Sequence, residues 1–408
     1  MTPRAAGLLV EGEGSGYGPN AMPRALASTF ASLAFLGAAS LVLAPGCSSD
    51  KGDAKQGEKG DKKAGAQQPE AKPTPEGEPG DGDWAWTLPK GLAEPPTVPA
   101  DNPMSAAKVA LGHQLFMDKR LSGDGSRSCY SCHQNQLGNA DGRALALGAG
   151  DKPLTRNTPT IWNVGYHQTG LYWDGRAATL EAQAIGALEG GNMGVGKGNM
   201  PAKAKEIGAL PEYAEQFAAV FGLEAGAEVT QEQVAMALSA YERTLLCGDT
   251  AFDKGAMSES AQRGWDLFRG KASCTTCHSG DNFTDGAFHD LGLAYDDAGA
   301  LKPDYDVGRG KPSGDVADNY KFRTPTLRNV AKTGPYFHDG SVVELADAVR
   351  FMAGGGNAKA PTLDKNLRDT QLSDEEVADI VEFLRALDCP GQLEVIGDQA
   401  VAGITDGT

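Results

Sequence analysis

The chain has 408 residues, with 54 Asp plus Glu against 37 Lys plus Arg, 54 Gly, 23 Pro and seven Cys. That length suggests two or three domains, and a net charge of −17, about −14 of it on residues 101–408, excludes a nucleic-acid partner held through its phosphates and favours basic partners. Hydrophobic residues make up 40% of the chain, enough for globular cores, but the first hundred residues are so rich in Gly, Pro and charge that the folded part is nearer three hundred.

Residues 1–47 read as an export signal of the lipoprotein type, with Met22 a plausible true start. A short basic segment at Arg24 leads into apolar and small residues from Ala25 to Ala44, and Cys47 follows Pro45 and Gly46. A transmembrane helix is the rival reading, but Ser and Gly dilute the run. The expectation is a periplasmic or envelope-anchored protein, in contact with a membrane only through a lipidated Cys47. Residues 48–100 form a disordered tether of Lys, Asp, Glu, Gly and Pro without apolar period, with Trp84 and Trp86 its first points of contact with a folded body.

Asn102 and Pro103 form an N-cap and first-turn pair before Val109, Leu111, Leu115 and Phe116. Capping boxes at Thr230/Gln233 and Ser373/Glu376 start two more amphipathic helices. No alternating strand pattern stands out, so the fold class is mostly α with long Gly-rich connections. The two halves form a diverged repeat. Gly112, Leu115 and Phe116 precede Cys129-Tyr130-Ser131-Cys132-His133 as Gly264, Leu267 and Phe268 precede Cys274-Thr275-Thr276-Cys277-His278. Thr158–Val164 matches Thr324–Val330, and Tyr172–Gly175 matches Tyr336–Gly340. Two cytochrome c-like domains are expected, residues 101–246 and 247–392, with a tail over 393–408.

A Cys-x-x-Cys-His run allows two thioethers to the vinyl groups of one haem while the adjacent imidazole reaches its iron. Each half thus carries one covalently attached c-type haem, through Cys129, Cys132 and His133 and through Cys274, Cys277 and His278. Zinc knuckles or redox dithiols would need neither the adjacent His nor the flanking apolar helices. Cys247 and Cys389 each close a capped helix, and an oxidising compartment permits them to pair, tying the ends of the second domain.

The far ligand of each iron separates carrier from catalyst, because a His/Met iron is saturated and an open one can bind a small substrate. Met352 lies twelve residues after Gly340, and the same offset from Gly175 lands on Ala187. The second haem can therefore be His278/Met352, whereas the first lacks an equivalent ligand. Met193 and Met200 are rival ligands for the first iron without support from the repeat, and Met352 itself could be core packing. The other histidines, His113, His167, His289 and His338, are read as structural or solvated.

Leu121-Ser122-Gly123-Asp124-Gly125, Arg156-Asn157-Thr158-Pro159-Thr160, Trp173-Asp174-Gly175-Arg176-Ala177 and Pro335–Gly340 make residues 104–388 resemble the bacterial diheme cytochrome c peroxidases and the wider family that includes diheme maturation enzymes. The resemblance implies that electrons enter at the second haem, that Trp173 lies between the haems, that hydrogen peroxide is reduced to water at the first, and that calcium binds the Asn157 side chain and the carbonyls of Thr333 and Pro335. A small cytochrome c or cupredoxin would be the electron donor, and a homodimer is an assembly it allows.

Two departures stand out. Where many members carry an iron-capping His, this chain has Ala149, and where they carry an acid/base Glu before Met-Gly, it has Asn192. Peroxide cleavage moves a proton to the leaving oxygen, which an amide cannot shuttle. Glu189 is a substitute if the Gly-rich loop folds inward, although a Glu in a polar loop is more often solvated. Gln183 orients peroxide or caps a helix, and Trp173 is a relay, a core aromatic or both. The alternatives are an electron-transfer or ligand-sensing cytochrome without efficient peroxidase activity, and an oxidase of a protein or organic substrate.

Overall fold

The computed structural model describes residues 84–390, so the expected export signal, Cys47, residues 48–83 of the tether and the tail lie outside the described residues. Residues 84–100, expected to be disordered, instead pack on the folded body, with Leu92 buried and the Gly91 carbonyl accepting from Arg328 at 3.1 Å. The helices are α1 (Ala106–Met117), α2 (Leu180–Glu189), α3 (Met200–Gly208), α4 (Pro211–Phe221), α5 (Gln231–Arg243), α6 (Ala251–Lys254), α7 (Glu259–Arg269), α8 (Gly310–Ser313), α9 (Leu345–Ala353) and α10 (Asp374–Arg385). The only described sheet is a two-residue antiparallel pair, β1 (Phe288–His289) with β2 (Phe322–Arg323). The fold is mostly α, as expected.

Both capping boxes form, Thr230 with Gln233 on α5 and Ser373 with Glu376 on α10. The start of α1 differs from expectation: Ser105 is its N-cap, accepting from the Lys108 N–H. Asn102 is buried instead, accepting from Lys108 Nζ at 2.9 Å and donating to Glu181 Oε1 and the Met236 carbonyl. Its amide is worth more tying α1 to α2 and α5 than capping one exposed N–H, because buried polar groups must be paired.

The repeat is visible in the packing. α1 crosses α5 at Gly112, where a Cβ would fall 1.9 Å from the Ala237 carbonyl oxygen, and α7 crosses α10 at Gly264, where it would fall 1.9 Å from that of Asp379. Only glycine permits such backbone approach. Phe116 meets Tyr241 across the first crossing, and Phe268 meets Phe383 across the second. Two hydrophobic clusters result, one built from Met104 to Leu245 around α1, α2 and α5, the other from Phe268, Phe283, Ile380, Phe383, Leu384 and Leu387.

Cys247 and Cys389 form a disulfide with a Cα–Cα separation of 5.5 Å. It ties the ends of the second half as expected, just after α5 and just after α10, and its halves occupy matching places in the repeat. Asn163 Oδ1 accepts from the Cys247 N–H at 2.7 Å, and Asn329 Oδ1 accepts from the Cys389 N–H at 3.2 Å. Both asparagines adopt the left-handed backbone conformation that Asn tolerates, with φ of 56° and 65°. The two repeats are therefore clasped through equivalent residues.

Candidate functional site

Each Cys-x-x-Cys-His run winds through a single 3₁₀ turn that brings the His N–H back to the carbonyl of the first Cys, at 3.1 Å for His133 and 2.9 Å for His278. Nδ1 of His133 lies 3.0 Å from the Asn139 carbonyl, and Nδ1 of His278 lies 2.9 Å from that of Phe283. Those bonds fix the ring and leave Nε2 as the ligating nitrogen, the usual second partner of an iron-bound His. Burial lowers the pKa of both imidazoles and so favours the neutral, ligating form. The thiols of Cys129, Cys132, Cys274 and Cys277 take no part in disulfides.

Beside the first run lies a cavity of about 1170 Å³, lined by Cys129, Cys132 and His133, by Gln183 and Ala187 of α2, by Asn192 and Met193, by Leu238 and Glu242 of α5, and by Trp173. Residues of the second half, among them Asp306, Arg323 and His338, complete the wall. Arg323 is buried, burial pushes its pKa down to about 10, and it makes no ion pair with any described carboxylate; it donates to His167 at 3.0 Å and to the Tyr172 carbonyl at 3.3 Å. A buried cation of this kind calls for an anion. The unbridged thiols, the free Nε2, the cavity and this cation together fit a haem with its propionates.

Trp173 is buried where the two halves meet. Its indole N–H donates to the Asn157 carbonyl at 2.9 Å, and its own carbonyl accepts from the Arg323 N–H at 2.8 Å. Nearby, Arg156 bridges Asp174 at 2.8 Å and Asp306 at 2.6 Å, a cross-link spanning 150 residues of sequence. Gln183 is on the cavity wall, and its carbonyl accepts from the Tyr172 hydroxyl at 2.9 Å.

Glu189 is not brought to the cavity. Its Oε1 accepts from the Gly198 N–H at 2.8 Å, so the carboxylate braces the Gly-rich loop, and Asn192 and Met193 line the cavity instead. Met200 is fully buried in the first cluster and does not line the cavity. Met352 is half-buried in the last turn of α9, a helix that packs on the second cluster through Leu345 and Val349. Asn157 Nδ2 donates to the carbonyls of Arg143 at 2.8 Å and Pro335 at 3.1 Å, whereas the Thr333 hydroxyl is turned to the Val330 carbonyl. The structure thus gathers Asn157 and Pro335, with Thr333 two residues away in the chain.

Sequence reading missed Arg323 and Glu242. Arg323 directly precedes a repeat landmark, and Glu242 lies 142 residues before Leu384, the offset that separates the paired cysteines.

The family profile described as di-haem cytochrome c peroxidase matches residues 106–261, and the cytochrome c profile matches residues 261–388. The cytochrome-c peroxidase IdrP1 of Denitromonas iodatirespirans is 41% identical over 331 residues, covering 73% of this chain and 86% of that protein. The chain belongs to the di-haem cytochrome c peroxidase family. Methylamine utilization protein MauG of Methylorubrum extorquens is 40% identical, covering 71% of this chain and 80% of its own. A MauG-like protein associated with microbial copper homeostasis, known from its crystal structure, shares 34% identity and a TM-score of 0.69, covering 78% of this chain and 98% of its own. Membership makes the protein a peroxidase-like oxidoreductase with two c-type haems, in a family that works with hydrogen peroxide and a cytochrome electron donor.

Proposed function

We propose that this protein reduces hydrogen peroxide to water at the first Cys-x-x-Cys-His site, with electrons delivered at the second by a small cytochrome c or cupredoxin. The carrying observation is the asymmetry of the repeat: Ala187 stands on the wall of the first cavity where Met352 stands in the second half. When bound, each haem supplies a one-electron redox centre, and one without a far ligand also gives peroxide a place to bind.

In this reading Cys129 and Cys132 would anchor the first haem and Cys274 and Cys277 the second, with His133 and His278 available as iron ligands and Met352 as a further ligand for the second. Arg323 balances propionate charge. Trp173, bonded to both halves, holds their spacing and bridges the path between the sites. Gln183 lines the cavity and would orient peroxide. Asn192 can donate a hydrogen bond there but cannot pass a proton on.

Calcium belongs to the same proposal. With the Asn157 amide turned over, its Oδ1 would meet the Pro335 carbonyl, and the Thr333 carbonyl completes a set of hard oxygen donors that suits a calcium ion. Export and anchoring through a lipidated Cys47 rest on the composition of residues 1–47, and they agree with the disulfide.

Stopped-flow mixing of the half-reduced protein with one equivalent of hydrogen peroxide tests the reading. Rapid oxidation of both haems, with one peroxide consumed per two electrons, is the expected result. An inert first haem would favour the electron-transfer or sensing alternative, for which Asn192 in place of a carboxylate is the motivating observation.

A further inference from the structure

The peroxidase reading leaves a proton unaccounted for, since Asn192 is an amide and Glu189 faces away. One other carboxyl group lines the cavity from α5. Glu242 is 8% exposed, it shares the wall with His133, Gln183 and Asn192, and its carboxyl makes no hydrogen bond or ion pair among the described residues. Neither of its oxygens is among the fully occluded polar atoms, so the group opens to the cavity space. The adjacent Arg243 is no counter-ion, because its guanidinium is turned to Glu181 at 2.8 Å.

The repeat makes the position unusual. Cys247 and Cys389 are paired equivalents 142 residues apart, and the same offset carries Tyr241 to Phe383 and Glu242 to Leu384. Leu384 is buried in the second hydrophobic cluster, where an apolar side chain satisfies the packing. A carboxyl at the matching place costs desolvation that packing does not require. Burial, opposed in part by Arg243 and reinforced by Glu181, pushes the pKa of Glu242 up to about 8, so the group is a neutral acid at neutral pH. Cys129, Tyr172 and Tyr241 are its other electrostatic neighbours, and none of them is a cation.

We propose that Glu242 is the acid of the first cavity: as the O–O bond of peroxide breaks, its carboxyl O–H gives its proton, directly or through one water, to the leaving oxygen, which departs as water. This rests on the peroxidase reading above. Over a full turnover one peroxide takes up two electrons, supplied by the donor through the second haem, and two protons, and yields two waters. Glu242 delivers one of those protons and is reprotonated from solvent, which also supplies the other. The arrangement would let the family's chemistry proceed with an amide at 192, the carboxyl having moved from the loop after α2 to the body of α5.

The test compares wild type with Glu242→Gln and Glu242→Leu, the latter carrying the residue of the equivalent position, after both variants are shown to hold two haems with unchanged spectra. Infrared difference spectra between oxidised and reduced protein should contain a carbonyl band of a protonated carboxylic acid that shifts in D2O, and both variants should lack it. Peroxide-driven oxidation of the half-reduced variants should slow by about 100-fold or more, the usual weight of a positioned proton donor, and Glu242→Asp should recover part of it. A band that survives in Glu242→Gln overturns the proposal, and so does a variant that lacks the band but reacts at the wild-type rate. A wild-type protein inert towards peroxide overturns the peroxidase reading itself, and is told apart because there is then no rate for the variants to lose.

Discussion

The two haem sites share a scaffold and differ in their interiors. Both have a 3₁₀ turn through the Cys pair, a His held by a carbonyl on Nδ1, a Phe about one ring away, and a helix crossing at a glycine. The second site is backed by a cluster of aromatic rings, Phe252, Trp265, Phe268, Phe283 and Phe383, in contact with one another. The first has about 1170 Å³ walled by Gln183, Asn192, Glu242 and Arg323. An aromatic wall suits a centre that only passes electrons, and a polar one suits a centre that moves protons as well. Duplication has kept the attachment chemistry and changed what faces the iron.

The largest effect should come from making the sites alike. Ala187→Met places a thioether where the repeat puts Met352, and the first haem should then become low-spin and lose its reaction with peroxide, read by absorption spectroscopy and stopped-flow mixing. The converse, Met352→Leu, should remove the high-potential couple from a redox titration and leave two high-spin haems. A titration unchanged by Met352→Leu would show that α9 does not supply the ligand.

A smaller effect is expected at the clasp between the repeats. The disulfide closes 142 residues, and Cys247→Ser with Cys389→Ser should cost about 2–5 kcal/mol in denaturant unfolding while both haems stay attached. The paired Asn163 and Asn329 bonds would remain, so the domains should separate more readily rather than unfold individually.

How far the sequence carries depends on how local each signal is. The haem attachment residues lie within five positions of one another, and the capping boxes within four, so both could be read directly. The contrast between Met352 and Ala187 needed only an offset between the halves. Glu189 was misplaced because its partner, the Gly198 N–H, is set by the path of a loop that contains several glycines. Asn102 was misread for a similar reason: its partners lie on α2 and α5, and a nearby Ser105 could do the capping. Glu242 sits between Tyr241 and Arg243 on an amphipathic helix, where the residue type suggests a solvated face. Its direction follows once the cysteine pair fixes the register of the two last helices, because the partner position is a core leucine. Arg323 resists even that argument, since its burial depends on contacts that cross between the halves.

The same glutamate gives the two sites different responses to pH. Its folded pKa is raised to about 8 from a reference of 4.5, chiefly by burial, so the folded state holds the proton more tightly than the unfolded chain. The stability linked to that proton is fully present below the unfolded value and is lost as pH rises to the folded one. Between those limits the folded protein should lose at most about 1.4 kcal/mol per pH unit through this group, and above them the slope should vanish. Thermal unfolding of the haem-loaded protein, followed at the near-ultraviolet and haem bands across that window, should therefore decline in wild type and stay flatter in Glu242→Gln. The second site has Leu384 at the matching position, so Leu384→Ala should lower both curves together without changing their slope. Parallel wild-type and Glu242→Gln curves would place the glutamate in contact with water and return the two sites to equal footing in their response to pH.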